Sequence, residues 1–125
     1  MRASFYEWAG KTIEEAYIKE MELVRCGVGI ADVSTLGKID VQGPDAAEFL
    51  NRIYINGWSK LGVGKCRYGL MLREDGMVFD DGTTARMGPN EYVMTTTTAN
   101  AVTVFRHLEF CRQCLWPDMD VQLIS

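Results

Sequence analysis

The stretch of residues 67–86, RYGLMLREDGMVFDDGTTAR, limits the folds open to this chain more than any other. Two runs rich in apolar and strand-forming residues flank Glu74-Asp75-Gly76, a turn sequence, and the spacing predicts a β-hairpin. Its second strand carries two adjacent carboxylates, Asp80 and Asp81. Aspartate is depleted in strands because its short side chain competes for backbone hydrogen bonds, so the pair calls for a reason. Successive strand side chains point to opposite faces, which assigns Met77, Phe79, Asp81 and Thr83 to one face and Val78, Asp80 and Gly82 to the other. Only one of the two carboxylates can then face a given pocket.

The flanking sequence extends the hairpin into an α+β arrangement. Residues 12–25 predict a helix with a Thr12-x-x-Glu15 capping box, an apolar set of Ile13, Ala16, Tyr17, Met21 and Val24, and Gly27 as its stop. Residues 38–42 alternate as a strand in which Ile39 and Val41 point one way. Pro44 at the first helical position, Asp45 in the first turn and Ala46, Phe49, Leu50 and Ile53 at helical spacing predict a second helix, closed by Asn56-Gly57. A third strand, residues 91–98, follows the hairpin through Gly88-Pro89-Asn90 and completes an antiparallel meander. The last helix is expected over about residues 99–115, burying Ala101, Val104, Phe105, Leu108, Cys111 and Leu115. Trp116-Pro117-Asp118 then breaks it before a final strand at residues 120–124. The predicted order from residue 38 is strand, helix, three strands, helix, strand, a mostly antiparallel sheet with helices packed on one face.

With 125 residues, 47% of them apolar, the chain is long enough for one domain with a real core over residues 1–125, and no stretch is long and apolar enough to span a bilayer. A net charge of -4 with scattered basic residues argues against nucleic-acid binding, which needs clustered Lys and Arg. The first residues, MRASFYEWAGK, lack the apolar core of a secretory signal, and a cytoplasmic location is the expectation. Cys111 and Cys114 form a CxxC without a second pair to complete a zinc site, late in its helix, where the dipole does not activate a thiol. The sole histidine, His107, falls on the flank of the last helix's apolar stripe, which argues against a catalytic triad, and one histidine cannot make a multi-histidine metal site. No GxGxxG or GxxxxGK[ST] is present, so nucleotide phosphate binding has no support.

The aspartate pair is the best candidate for chemistry. A carboxylate held on a rigid strand can orient a cationic or proton-donating ligand nitrogen. A strand-end aspartate can equally cap a bend or pair with Arg67 or Arg86. Tyr68 reads either as a core side chain with its hydroxyl at the edge or as a pocket residue. Residues 95–98, four threonines, read as β-branched strand filler.

Taken in order, Asp32-Val-Ser-Thr, the helix containing Glu48-Phe49-Leu50, Tyr68-Gly-Leu-Met-Leu and Gly76-Met-Val-Phe-Asp80-Asp81 resemble the N-terminal part of the aminomethyltransferase family. That family includes the glycine cleavage T protein and the folate-binding domains of sarcosine- and dimethylglycine-oxidising enzymes. Ser34-Thr35-Leu36-Gly37-Lys38 and the stretch from Trp58 to Leu72 look most like the branch formed by alpha subunits of heterotetrameric sarcosine oxidases. The glycine cleavage T proteins, the enzymatic alternative, usually show a His-Met pair after Asp-Val-Ser. The remaining alternative is a non-catalytic assembly module that kept this fold.

The resemblance implies a tetrahydrofolate site, in which a one-carbon unit from sarcosine oxidation is captured as 5,10-methylenetetrahydrofolate. Asp81 matches the family's catalytic carboxylate, beside the folate N10, and Tyr68 matches a tyrosine lining the pocket. Thr96 stands where relatives commonly place a cofactor-contacting asparagine, and Gly82 replaces a branched apolar residue. The family's domain is longer than this chain, so the resemblance implies a fragment holding part of the pocket wall and inactive alone. FAD, FMN and NAD are implied for the intact oxidase but not for this segment. Other subunits of a hetero-oligomeric oxidase are the implied partners, and self-association of the isolated segment through uncovered apolar surface is a further expectation.

Overall fold

The computed structural model describes residues 12–125, and the chain divides into two compact units, residues 1–33 and residues 34–125. In the first, α1 (Ile13–Cys26) begins with the expected capping box. Thr12 Oγ1 accepts from the Glu15 amide at 3.3 Å, a Glu15 carboxylate oxygen accepts from the Thr12 amide at 3.2 Å, and Gly27 is the C-cap. Of its apolar set Ala16 is buried, while Ile13, Tyr17, Met21 and Val24 are exposed.

The second unit holds β1 (Gly37–Gln42), α2 (Ala46–Ile53), β2 (Cys66–Leu72), β3 (Val78–Gly88), β4 (Glu91–Thr96), α3 (Ala101–Phe110) and β5 (Gln122–Ile124). The five strands form one antiparallel sheet in the order β2-β3-β4-β1-β5. Ile39 and Val41 of β1 and Tyr92 and Met94 of β4 point to one face, against Ala46, Phe49, Leu50 and Ile53 of α2 and Val104 and Leu108 of α3. This is the α+β architecture that the order of elements predicts, with helices on one face. Each large apolar side chain taken fully from water contributes about 1.5–3 kcal/mol, so this single layered core is what holds the unit together. No helix among the described residues is long and apolar enough to cross a membrane.

Three local departures from the sequence pattern have physical causes. Helix α2 starts at Ala46, with Pro44 in the turn before it, because the Asp45 carboxylate is engaged elsewhere, accepting from the Asp120 amide at 2.9 Å. It ends at Ile53, ahead of Asn56-Gly57, because the next residues turn to the edge of β2. Tyr54 bridges Met71, the Ile55 amide donates to the Leu70 carbonyl at 3.0 Å, and Asn56 Oδ1 accepts from the Leu70 amide at 3.0 Å. Helix α3 is succeeded by a π turn over Cys111–Leu115. The wider turn rotates the chain off the α-helical register, so Leu115 is exposed instead of buried, and Trp116 packs edge-on against Phe49 with ring centroids 5.8 Å apart.

Candidate functional site

The hairpin turns where expected. Gly76 adopts φ +81°, its amide donates to the Arg73 carbonyl at 2.9 Å, and Asp75 Oδ1 accepts from the Met77 amide at 3.0 Å. The β2–β3 register pairs Tyr68 with Thr83, Gly69 with Gly82, Leu70 with Asp81 and Met71 with Asp80, then shifts so that Leu72 pairs with Val78. Phe79 is thus an extra residue, a β-bulge. The bulge overturns the expected grouping of Phe79 with Asp81. Phe79 turns toward the helices, its ring 5.0 Å from that of His107 in α3, and lies on the same side as Asp80.

Tyr68 and Asp81 come together on the face away from the helices. They are diagonal neighbours across the β2–β3 pair, and the Tyr68 hydroxyl donates to Asp81 Oδ2. Holding that proton against a carboxylate pushes the Tyr68 phenol above its usual range. Tyr68 is more than half exposed, Asp81 is half-buried, and among the described residues the Asp81 carboxylate accepts from no group but Tyr68. The site therefore offers a hydrogen-bond acceptor carrying negative charge, fixed on a strand and open to a ligand.

Asp80 has the opposite setting. It is 4% exposed, and its Oδ2 accepts from the Thr97 amide at 3.1 Å. Of the alternatives left open by the sequence, backbone capping is the one that forms. Arg67 donates instead to the Gly57 carbonyl and lies over the Trp58 ring. Arg86 donates to three carbonyls, those of Leu61 at 2.7 Å, Pro89 at 2.6 Å and Gly88 at 3.3 Å. Near Asp80, burial pushes the Tyr54 phenol up to about 12, and the negative charges of Asp80 and Asp81 add to the effect.

Thr96 is not brought to this pair. It lies on the helix-facing side at 1% exposure, with its hydroxyl against Gly37, where a β-carbon would approach Oγ1 to 2.1 Å. Its neighbour Thr95 serves β3 directly, since Thr95 Oγ1 accepts from the Thr83 amide at 2.9 Å and donates to the Thr83 carbonyl at 3.1 Å. Asn100 Nδ2 donates to the Phe79 carbonyl at 2.9 Å. Neither Thr95 nor Asn100 stands out in the sequence. The four-threonine run carries no period that singles out one hydroxyl, and Asn100 reads as an ordinary helix-start residue.

Thiol chemistry gains no footing. Cys111 Sγ lies 3.6 Å from His107 Nε2, but burial pushes the Cys111 thiol up and His107 down, the nearby Glu74 partly opposing the latter. Both directions favour the neutral pair, which packs as core. Among the described residues no group of three or more His, Cys, Asp or Glu is placed to hold a metal ion.

Comparison with known proteins gives a consistent picture. The family model described as the GCVT N-terminal domain matches residues 1–125. The sarcosine oxidase subunit alpha of Rhizobium meliloti is 56% identical over 125 residues, which are 99% of this chain and 13% of that protein. The subunit of the same name from a Corynebacterium species is 48% identical over 124 residues, again 99% of this chain and 13% of the relative. An aminomethyltransferase of Corynebacterium jeikeium is 34% identical over 110 residues, covering 86% of this chain and 28% of that protein. Among solved structures, the glycine cleavage system aminomethyltransferase T from Bartonella henselae superposes with a TM-score of 0.68 at 28% identity, covering 74% of this chain and 25% of that one. The chain thus spans about an eighth of the length of the sarcosine oxidase subunits that it matches.

Proposed function

The chain belongs to the family of GCVT N-terminal domains, and from that premise we propose that Asp81 is the proton-accepting carboxylate of a tetrahydrofolate site. The observation that carries this reading is the Asp81 carboxylate itself, held by Tyr68 on the open sheet face with no cation or amide drawn to it among the described residues. Such a group fits a ligand that presents a nitrogen-bound proton. When bound, tetrahydrofolate supplies the nitrogens that carry a one-carbon unit as 5,10-methylenetetrahydrofolate. Asp81 would accept the proton released from nitrogen as the new carbon–nitrogen bond forms, and a positioned general base of this kind contributes about 10²–10⁴-fold. Tyr68 would fix the carboxylate's orientation and line the pocket beside it.

In the same reading, the segment is one wall of a longer folate-binding domain in an oxidase alpha subunit, and the carbon captured comes from sarcosine oxidation. Identity to the sarcosine oxidase subunits, well above that to the aminomethyltransferases, supports the oxidase over the glycine cleavage alternative. Flavin and NAD sites and the partner subunits belong to other parts of that assembly. The test is methylene capture by tetrahydrofolate in the intact oxidase, comparing the parent with Asp81→Ala. Capture should fall by about 10²-fold or more with little change in amine oxidation. Equal capture in both would remove Asp81 from the role.

A further inference from the structure

The β3–β4 ladder runs from Gly88↔Glu91 to Thr84↔Met94 and goes no further. Asp81 lies beyond its end, on the stretch of β3 that has regular strand pairing on the β2 side alone. Three side chains supply what the ladder omits. Thr95 Oγ1 bonds both the amide and the carbonyl of Thr83, two residues after Asp81. Asp80, the residue before it, accepts from the Thr97 amide, and Asn100 Nδ2 donates to the Phe79 carbonyl. Gly82 completes the arrangement, since a β-carbon there would come within 2.1 Å of the Thr95 carbonyl oxygen.

We propose that Asp80, Thr95 and Asn100 are positioning residues that aim the Asp81 carboxylate, acting as a side-chain clamp in place of a backbone ladder. The physical reason lies in the bulge at Phe79. A bulge re-aims the strand locally and leaves it free to twist, so the segment after it needs anchorage on both sides to hold one orientation. Backbone pairing with β4 would supply anchorage, but it would draw β3 flat against its neighbour. Side chains of intermediate length hold the strand at a set distance and leave Asp81 facing outward to Tyr68. The adjacent carboxylates then have separate tasks, Asp80 pinning the strand from the buried side and Asp81 meeting the ligand. This inference rests on the folate reading for its functional meaning, but its geometric content can be tested without folate.

The Tyr68 phenol reports the orientation of Asp81, because its raised titration depends on the hydrogen bond to that carboxylate. In the full chain with ¹³Cζ-labelled tyrosine, followed by NMR against pH, Asp81→Ala should move the Tyr68 titration to lower pH. Thr95→Val should move it in the same direction, and Thr95→Ser, which keeps a hydroxyl for Thr83, should return it to the parent position. The Asp80 charge itself raises Tyr68, so positioning by Asp80 is read from the difference between Asp80→Ala and Asp80→Asn, which lose the charge alike, and Asp80→Asn, which keeps an acceptor for Thr97, should titrate higher than Asp80→Ala. Tyr54 is the internal control for the Thr95 variants, which keep both carboxylates, and its titration near pH 12 should stay in place there. A Tyr68 titration unchanged in Thr95→Val and equal in Asp80→Ala and Asp80→Asn, with Asp81→Ala shifted, would overturn the proposal. Tetrahydrofolate titrations of the intact oxidase form a separate arm. If the Tyr68 shifts appear as described but the oxidase captures methylene equally with and without Asp81, the clamp stands and the folate role fails.

Discussion

Gly69 and Gly82 stand opposite each other across β2 and β3, and each occupies a point that a β-carbon could not. At Gly69 the added atom would lie 2.7 Å from Trp58 Cζ2 and 2.8 Å from Tyr54 Cδ1, two rings that form an edge-on pair in the core. At Gly82 it would meet the Thr95 carbonyl. Gly69→Ala and Gly82→Ala should each destabilise by about 1–3 kcal/mol, as overpacking does, and Gly82→Ala should be the worse because a backbone carbonyl cannot rotate away. Urea midpoints at constant slope check this, and a harmless Gly82→Ala would show that β4 is free to shift.

His107 makes stability pH-dependent with a definite sign. Burial lowers its folded pKa below the ordinary 6.5, so the unfolded chain takes up the proton first as pH falls. Stability from this residue is complete above about pH 6.5, declines as pH drops from there through the lowered folded pKa, and levels off below it. His107→Gln should flatten that interval. Denaturant midpoints of the two proteins, plotted as a difference across pH, isolate the histidine from the carboxylates that titrate lower.

Arg86 acts through geometry more than charge. Its planar fork reaches the carbonyls of Leu61, Gly88 and Pro89 at once and lies 5.4 Å from the Tyr92 ring, tying the loop before β2 to the β3–β4 turn. A lysine ammonium cannot span three divergent acceptors. Arg86→Lys should cost about 1.5–3 kcal/mol and quicken limited proteolysis within residues 57–65. Cleavage at the parent rate would show that the loop is held without the guanidinium, by buried Trp58 and Leu61 and by the backbone bonds of Gly64 and Lys65 to residue 86.

The π turn after α3 exchanges the places of two neighbours, and truncation distinguishes them. Leu115→Ala, at an exposed position, should leave the melting temperature nearly unchanged. Trp116→Ala removes the ring that meets Phe49 and carries the Arg52 guanidinium 5.3 Å above it, and should cost about 2–3 kcal/mol. The reverse order of effects would place Leu115 in the core.

Much of this molecule is legible in its sequence because two periods dominate it. Ile39 and Val41 alternate, Phe49, Leu50 and Ile53 recur at helical spacing, and both patterns match the buried set. The opposition of Asp80 and Asp81 follows from the same alternation. What escaped is whatever breaks period. The bulge adds one residue and carries Phe79 to the other side, the π turn adds one and carries Leu115 out, and neither leaves a compositional mark. Thr95 and Asn100 escaped for a different reason. Their bonds reach backbone groups 12 and 21 residues away, a relation fixed by the close approach of two strands and invisible to local pattern.

The substitution of side chains for a ladder also leaves a mark in time. An amide within a sheet exchanges its hydrogen for solvent deuterium when strands part, a collective event. The amides of Thr83 and Thr97 are instead covered by one hydroxyl and one carboxylate, and rotation about a few side-chain bonds is enough to uncover them. Exchange at these two positions therefore reports how often the Thr95 and Asp80 side chains turn away from them.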